Sequence, residues 1–162
     1  MPIFDLPLDE LRVYRGINPK PADFEAYWEA ALAEKDGTDP APEFVKADFQ
    51  SDFAECFDLY FTGVRGARIH AKFLRPKRTS GPGPALLMFH GYTGNSGDWN
   101  EKLGWVAAGF TVAAMDVRGQ GGLSQDVGGT TGNTLNGHII RGLDDKPEDL
   151  LFRHIFLDTA QL

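Results

Sequence analysis

The chain has 162 residues, of which 42% are hydrophobic and 24% charged, proportions that are typical of an ordinary soluble globular protein. Lysine and arginine total 16 and aspartate and glutamate total 23, so the formal net charge is −7. This acidic balance argues against nucleic acid or an anionic membrane as the main partner, because both carry negative charge. Cys56 is the only cysteine, which excludes an internal disulfide and fits a reducing compartment.

The sequence shows no membrane or export signal. No apolar run approaches the roughly 18 residues that a membrane-spanning helix needs. The N-terminus lacks the basic segment followed by an apolar stretch that marks a secretory leader. We therefore expect a cytoplasmic protein with no membrane partner.

Residues 1–42 are predicted to form an N-terminal arm and a packing helix. Residues 1–18 mix apolar and charged side chains without a clear period, which indicates an extended arm. A helix that ends at Gly37 is predicted next, because apolar side chains recur at helical spacing at Phe24, Trp28, Ala31 and Leu32.

The middle of the chain is predicted to form strands. One strand is expected within residues 43–49, and two more at residues 56–61 and 67–73. Residues 63–66 join the last two strands as a hairpin.

Two uninterrupted apolar runs, at residues 84–89 and 110–115, indicate strands that are covered on both faces. Between them, Asp98 and Glu101 have capping-box spacing, and Gly109 stands where a helix would stop. Strand, helix and strand in about 30 residues form one crossover unit. The predicted fold class is therefore α/β, with an antiparallel hairpin leading into parallel strands with crossover helices.

A last helix is predicted to begin near Pro147, with Leu151, Ile155 and Leu162 on one face. Neither a glycine nor a basic residue stops it. We expect this helix to be an interrupted element, and the chain to be part of a longer one.

The loop after the first apolar run is a candidate functional segment, because ligands bind beyond the carboxyl ends of strands in open α/β sheets. It begins with His90-Gly91-Tyr92. In α/β-hydrolases the corresponding loop supplies one backbone N–H of the oxyanion hole. We expect the Tyr92 N–H to be that donor; the alternative is a turn with a structural histidine.

The loop after the second apolar run is glycine-rich and begins Asp116-Val117-Arg118-Gly119-Gln120. It lacks the third glycine of the dinucleotide fingerprint and the lysine of a P-loop, which disfavours nucleotide binding. We expect this loop to lie at the rim of an active site, where Arg118 and Gln120 brace neighbouring loops by hydrogen bonds.

The sequence offers no obvious nucleophile or metal site. None of the four serines stands in a Gly-x-Ser-x-Gly elbow: Ser51, Ser80, Ser96 and Ser124. The histidines have no metal-ligand spacing, and neither a metal nor a cofactor is expected: His70, His90, His138 and His154.

These residues resemble the N-terminal half of the acetyl xylan esterase and cephalosporin C deacetylase family, which is carbohydrate esterase family seven. The resemblance runs through all 162 residues, and the Arg118-Gly119-Gln120 triplet is a hallmark of the family. The other specific matches are His90-Gly91-Tyr92, Gly137-His138 and Gly142-Leu143-Asp144.

The resemblance implies a metal-independent serine esterase that removes acetyl groups from short xylo-oligosaccharides and from cephalosporin C. It implies that the Tyr92 N–H holds the oxyanion and contacts substrate, beside structural residues His90, Gly91, Arg118, Gly119 and Gln120. It also implies a cytoplasmic homohexamer, built as a trimer of dimers.

One departure from the family pattern is large. The family's Gly-x-Ser-Gln-Gly nucleophile, its aspartate and its late histidine have no counterpart here. Residues 43–162 are therefore predicted to be the N-terminal half of an α/β-hydrolase domain, inactive alone and truncated before the nucleophile elbow. Two alternatives are a non-catalytic sugar-binding or assembly module, and another α/β-hydrolase subfamily such as a dienelactone hydrolase or peptidase relative, which the triplet disfavours.

Overall fold

The fold is a mixed sheet with helices on both faces, seen in a computed structural model that describes residues 5–78, 81–127 and 141–162. The predicted α/β fold class is confirmed. The helices are α1 (Leu8–Val13), α2 (Phe24–Asp36), α3 (Asn100–Ala107) and α4 (Leu151–Gln161). The strands are β1 (Glu43–Lys46), β2 (Ala54–Thr62), β3 (Arg68–Pro76), β4 (Ala85–Phe89) and β5 (Thr111–Met115).

The five strands lie in the order β1-β2-β3-β5-β4. Neighbouring strands are antiparallel except β4 and β5, which are parallel and are joined through α3. The predicted hairpin is confirmed as β2 and β3, and its strands are longer than expected. Its turn needs a left-handed backbone at Arg65 and Gly66, with φ of 60° and 79°, and glycine adopts that conformation without strain.

Alternating side chains of the sheet build two cores, one under each helix layer. On one face Leu151 and Ile155 of α4 pack against Ile69, Ala71 and Met115. On the other face α3 covers a second core of buried side chains made by Cys56, Leu74, Val106 and Val112. Because strand side chains alternate between faces, both layers are held by the same central strands.

The N-terminal segment differs from the prediction of an extended arm, because α1 forms within it. Asp9 in its first turn and Arg12 in its last turn complement the helix dipole, which favours this short helix. None of its side chains is buried, so α1 adds nothing to the core.

The prediction that both apolar runs are covered on two faces is right for β5 and wrong for β4. The side chains from Val112 to Met115 are buried, whereas Leu87 is 46% and Phe89 is 48% exposed. The reason is topological: β4 lies at the sheet edge, and on the face of Leu87 and Phe89 an open cavity separates the strand from α4. An apolar run in the sequence shows which side chains a strand carries, but it does not show which other elements pack against them.

Helix boundaries also differ from the predictions. Asp98 does not cap α3 through its side chain, because the helix begins at Asn100 after Trp99. Gly109, with φ of 94°, ends the helix segment as predicted. Pro147 opens a separate 3-10 turn, Pro147–Asp149, and α4 begins at Leu151.

The packing helix α2 lies against α4 and the β2–β3 turn. Its buried Ala31 contacts Val64 and Leu157, and Trp28 covers this small cluster. The division of the chain at residue 42 stays a prediction. Across the described ranges, no helix has the length and apolar character needed to cross a membrane.

Candidate active site

Two loops meet at the carboxyl ends of β4 and β5. We call residues 90–99 the β4–α3 loop and residues 116–127 the post-β5 loop. The parallel strands pair from Ala85 with Thr111 to Phe89 with Met115, so both strands end at the same edge and their loops start side by side.

Three hydrogen bonds tie the β4–α3 loop to the post-β5 loop. The Val117 N–H donates to Nε2 of His90 at 2.9 Å. The Thr93 N–H donates to Oε1 of Gln120 at 2.6 Å. The Ser96 N–H donates to Oδ1 of Asp116 at 2.6 Å. The loop is thus held near its start, at its middle and near its end.

His90 acts in this contact as a neutral ring with a defined tautomer. Because Nε2 accepts the Val117 N–H, its lone pair is used and the ring proton is on Nδ1. Nδ1 then donates to the Gly91 carbonyl at 2.7 Å. His90 therefore links the end of β4 to the post-β5 loop and also fixes the peptide that precedes Tyr92.

Asp116 is the electrostatic centre of the two loops. Burial by itself would raise the pKa of this carboxyl group. Hydrogen bonds from His70 and from the Leu123 and Ser96 N–H groups outweigh burial and lower the pKa of Asp116 to about 2. The ionised carboxylate can therefore serve as an acceptor for backbone donors of both loops.

Arg118 is fully buried, and its guanidinium group contacts α4 and the β2–β3 turn. Its Nε and Nη2 donate to the two carboxylate oxygens of Asp158 in α4, at 2.6 and 2.5 Å. Nη2 also donates to the Val64 carbonyl at 3.1 Å. A Cβ on Gly63 would lie 2.2 Å from an Asp158 oxygen, so only glycine fits beside this pair.

An apolar cavity of about 360 Å³ opens beside His90-Gly91-Tyr92. Its other walls come from β4, the post-β5 loop and α4: Phe89, Val117, Gln120, Phe152, Ile155, Phe156 and Thr159. An aromatic and aliphatic lining of this size suits a small acyl group or another apolar ligand portion.

The structure brings together most of the residues singled out in the sequence. His90, Gly91, Tyr92 and Gln120 line one cavity, while Arg118 lies behind it against α4. Gly119 has φ of 67° and turns the chain between Arg118 and Gln120. The predicted matches at Gly137-His138, together with Ser80, lie outside the described residues.

The described loop serines make structural hydrogen bonds. The hydroxyl of Ser124 accepts the His70 N–H at 2.8 Å and donates to the Asp116 carbonyl at 2.5 Å. Ser96 is anchored to Asp116 through its N–H, and among the described residues neither serine has a histidine ring as a hydrogen-bond partner.

Sequence reasoning missed three residues that organise the site. His70 of β3 contacts Asp116, Asp58 of β2 contacts the other ring nitrogen of His70, and Asp158 of α4 contacts Arg118. Their separations from their partners along the chain give no local pattern. The one sequence feature that could have indicated the contact is that the two strands of the predicted hairpin carry an aspartate, Asp58, and a histidine, His70.

The described residues offer no ready metal centre. Within residues 5–78, 81–127 and 141–162, no group of three or more His, Cys, Asp or Glu side chains is arranged to hold a metal ion.

Comparisons with known proteins place this geometry in a family. The sequence matches the family described as acetyl xylan esterase (AXE1) over residues 1–162. The crystal structure of acetyl xylan esterase 1 from Thermoanaerobacterium sp. JW/SL YS485 is 69% identical, with a TM-score of 0.88, over 98% of this chain and 50% of that one. The acetyl xylan esterase from Paenibacillus sp. R4 is 30% identical, with a TM-score of 0.81, over 94% of this chain and 49% of that one.

A curated relative matches over a shorter stretch. The dihydrolipoyllysine-residue acetyltransferase component of the acetoin cleaving system from Cupriavidus necator is 32% identical over 85 residues, which are 52% of this chain and 21% of that protein. The chain thus spans about half the length of the solved esterases and about a fifth of this relative. By the match over its whole length, the chain belongs to the acetyl xylan esterase family.

Proposed function

We propose that this chain supplies the oxyanion half of the active site of a serine-type acetyl esterase. The observation that carries the proposal is the three-point attachment of the β4–α3 loop, which holds the backbone around Tyr92 beside an apolar cavity. An oxyanion donor has to be fixed before the reaction, because reorganisation during the reaction would cost transition-state stabilisation.

The roles follow from the chemistry of ester hydrolysis. A serine attacks the acetyl carbonyl, a histidine takes the serine proton, and the carbonyl oxygen becomes negative in the tetrahedral intermediate. The Tyr92 N–H donates to that oxygen. Gln120 accepts the neighbouring Thr93 N–H and so sets the direction of the peptide. His90 and Gly91 shape the turn, while Arg118 and Gly119 hold Gln120 in place.

The serine nucleophile, the histidine base and the aspartate come from residues outside this chain, so we expect it to be inactive alone. The proposed substrates are acetylated xylo-oligosaccharides and cephalosporin C, and no cofactor or metal takes part. A cytoplasmic homohexamer is the proposed working form. These proposals follow from the family to which the chain belongs.

A chimera tests the proposal directly. Residues 1–162 are joined to the remaining half of the Thermoanaerobacterium esterase, and hydrolysis of p-nitrophenyl acetate and of acetylated xylo-oligosaccharides is measured. We expect turnover by the chimera and none by the 162-residue chain. A folded chimera without turnover, or serine-type turnover by the chain alone, contradicts the proposal.

A pair of variants at one position tests the oxyanion donor. Tyr92→Pro removes the backbone N–H and is expected to lower kcat of the chimera by about 10²–10³-fold. Tyr92→Ala keeps the N–H and serves as the matched control for loss of the side chain. Equal kcat for the two variants would contradict the role of the N–H.

A further inference from the structure

Three ionisable side chains form a row on the sheet face that α3 covers. Nδ1 of His70 lies 2.7 Å from Oδ2 of Asp116, and Nε2 lies 2.9 Å from Oδ1 of Asp58. His70 is therefore held at both nitrogens and cannot rotate without losing a hydrogen bond.

His70 fixes the rotation of the Asp116 carboxylate. Oδ2 of Asp116 accepts a hydrogen bond from Nδ1 of His70 and another from the Leu123 N–H at 2.9 Å. Oδ1 is thereby directed at the Ser96 N–H. A Cβ on Gly122 would lie 2.4–2.7 Å from the atoms of this carboxyl group, so the post-β5 loop closes on Asp116 only with glycine there.

The row runs from a partly exposed end to a buried one. The side chain of Asp58 is 27% exposed, whereas those of His70 and Asp116 are 1% and 3% exposed. A polar cavity of about 390 Å³ opens over the row, and further charged side chains face it from β3, the β4–α3 loop and α3: Lys72, Asp98 and Glu101. The ring of Tyr60 in β2 lies 5.1 Å from the His70 ring.

We propose that His70 and Asp116 are positioning residues for the oxyanion donor. Asp116 holds Ser96, four residues after Tyr92, and His70 holds the Asp116 carboxylate in the rotation that this contact needs. Neither side chain touches the reacting atoms, and both act through the β4–α3 loop. The inference rests on the proposed role of the Tyr92 N–H.

Two substitutions of His70 in the chimera separate positioning from bulk. The amide of His70→Asn places a donor near the position of Nδ1, so we expect it to keep kcat within about threefold. His70→Leu fills similar space without a donor, and we expect kcat to fall about 10–100-fold with KM nearly unchanged, because a transition-state contact is lost. His154, which is also buried, provides matched controls in His154→Asn and His154→Leu.

Asp116→Asn is the corresponding change at the other residue of the pair. Its amide cannot accept from His70, Leu123 and Ser96 together, so kcat is again expected to fall about 10–100-fold. Equal kcat for His70→Asn and His70→Leu would overturn the inference. So would losses of kcat that only follow the folded fraction, measured by circular dichroism.

A readout in the 162-residue chain does not depend on catalysis. In its ¹H–¹⁵N spectrum, His70→Leu and Asp116→Asn are expected to shift the amide signals of residues 92–96, and His154→Leu is not. An inactive chimera with these shifts contradicts the proposed function alone. Unchanged signals for residues 92–96 contradict the positioning role, whatever the chimera does.

Discussion

Arg118 and Asp158 form a doubly hydrogen-bonded ion pair in which neither side chain is exposed to solvent. The pair links the post-β5 loop to α4, across 40 residues of chain. Because charges buried without a partner are costly, the pair makes the position of α4 depend on the loop that carries Gln120.

Breaking this pair should destabilise the protein strongly. We expect Arg118→Met to lower the free energy of unfolding by about 3–5 kcal/mol, since Asp158 is left buried without its partner. The double variant R118M/D158N removes the buried charge and should recover part of the loss. Urea unfolding measures both, and an equal loss in the two variants would show that the ion pair is not the cause.

Acid should weaken the fold through His154. Burial lowers the pKa of His154 from 6.5 to about 4, and its neutral Nε2 donates to the Glu148 carbonyl at 2.9 Å. Burial is the largest cause of this lowered pKa; the hydrogen bond to Glu148 opposes it, and the charges of Arg118, Arg65 and Arg153 contribute to it. Between pH 6.5 and 4 the unfolded chain binds a proton that the folded chain does not, so stability falls as pH falls through that window.

The variant His154→Gln tests this pH dependence. Glutamine keeps a donor for the Glu148 carbonyl but does not titrate. We expect a shallower fall in melting temperature from pH 6.5 to pH 4 than in the parent chain, measured by circular dichroism. The same slope in both proteins would assign the acid sensitivity to other groups.

Two glycines should respond in opposite directions to alanine. Gly122 has φ of 145° and its Cβ would meet the Asp116 carboxyl group, so Gly122→Ala should lower the melting temperature. Gly104 lies within α3, and a Cβ there would meet no atom of another element within 4 Å. Gly104→Ala should therefore add about 0.5–1 kcal/mol of stability. Thermal unfolding of the two variants is the measurement, and changes of the same sign would contradict the prediction.

In the part of the chain that the structure describes, β4 has no strand on its outer edge, and this edge should promote self-association. β4 contains no charge or proline that would discourage pairing with another strand. Leu87→Lys should therefore reduce light scattering at high protein concentration. Leu32→Lys on α2 is the control, because Leu32 is 44% and Leu87 is 46% exposed. An equal effect of the two substitutions would point to general solubility rather than to the edge.

Local sequence patterns predicted most helices and strands, but they did not predict contacts between residues that are far apart in the sequence. The hairpin, the parallel pair and the stop at Gly109 follow from turn residues and apolar runs, which act over a few neighbours. The partners of Arg118 and His70 were not foreseen, because Asp158 and Asp58 come near them only when the chain folds.

The strand order constrains how the sheet can assemble. β2 and β3 are adjacent in sequence, so they can pair through contacts between residues that are close along the chain. β5 follows α3 and pairs with β3, and among the described strands β4 pairs with β5 alone. The strand that precedes β5 in the sequence can therefore join the sheet only together with β5 or after it. The loop that begins at His90 reaches its final shape only once β5 is in place, because its partners lie in the loop that follows β5.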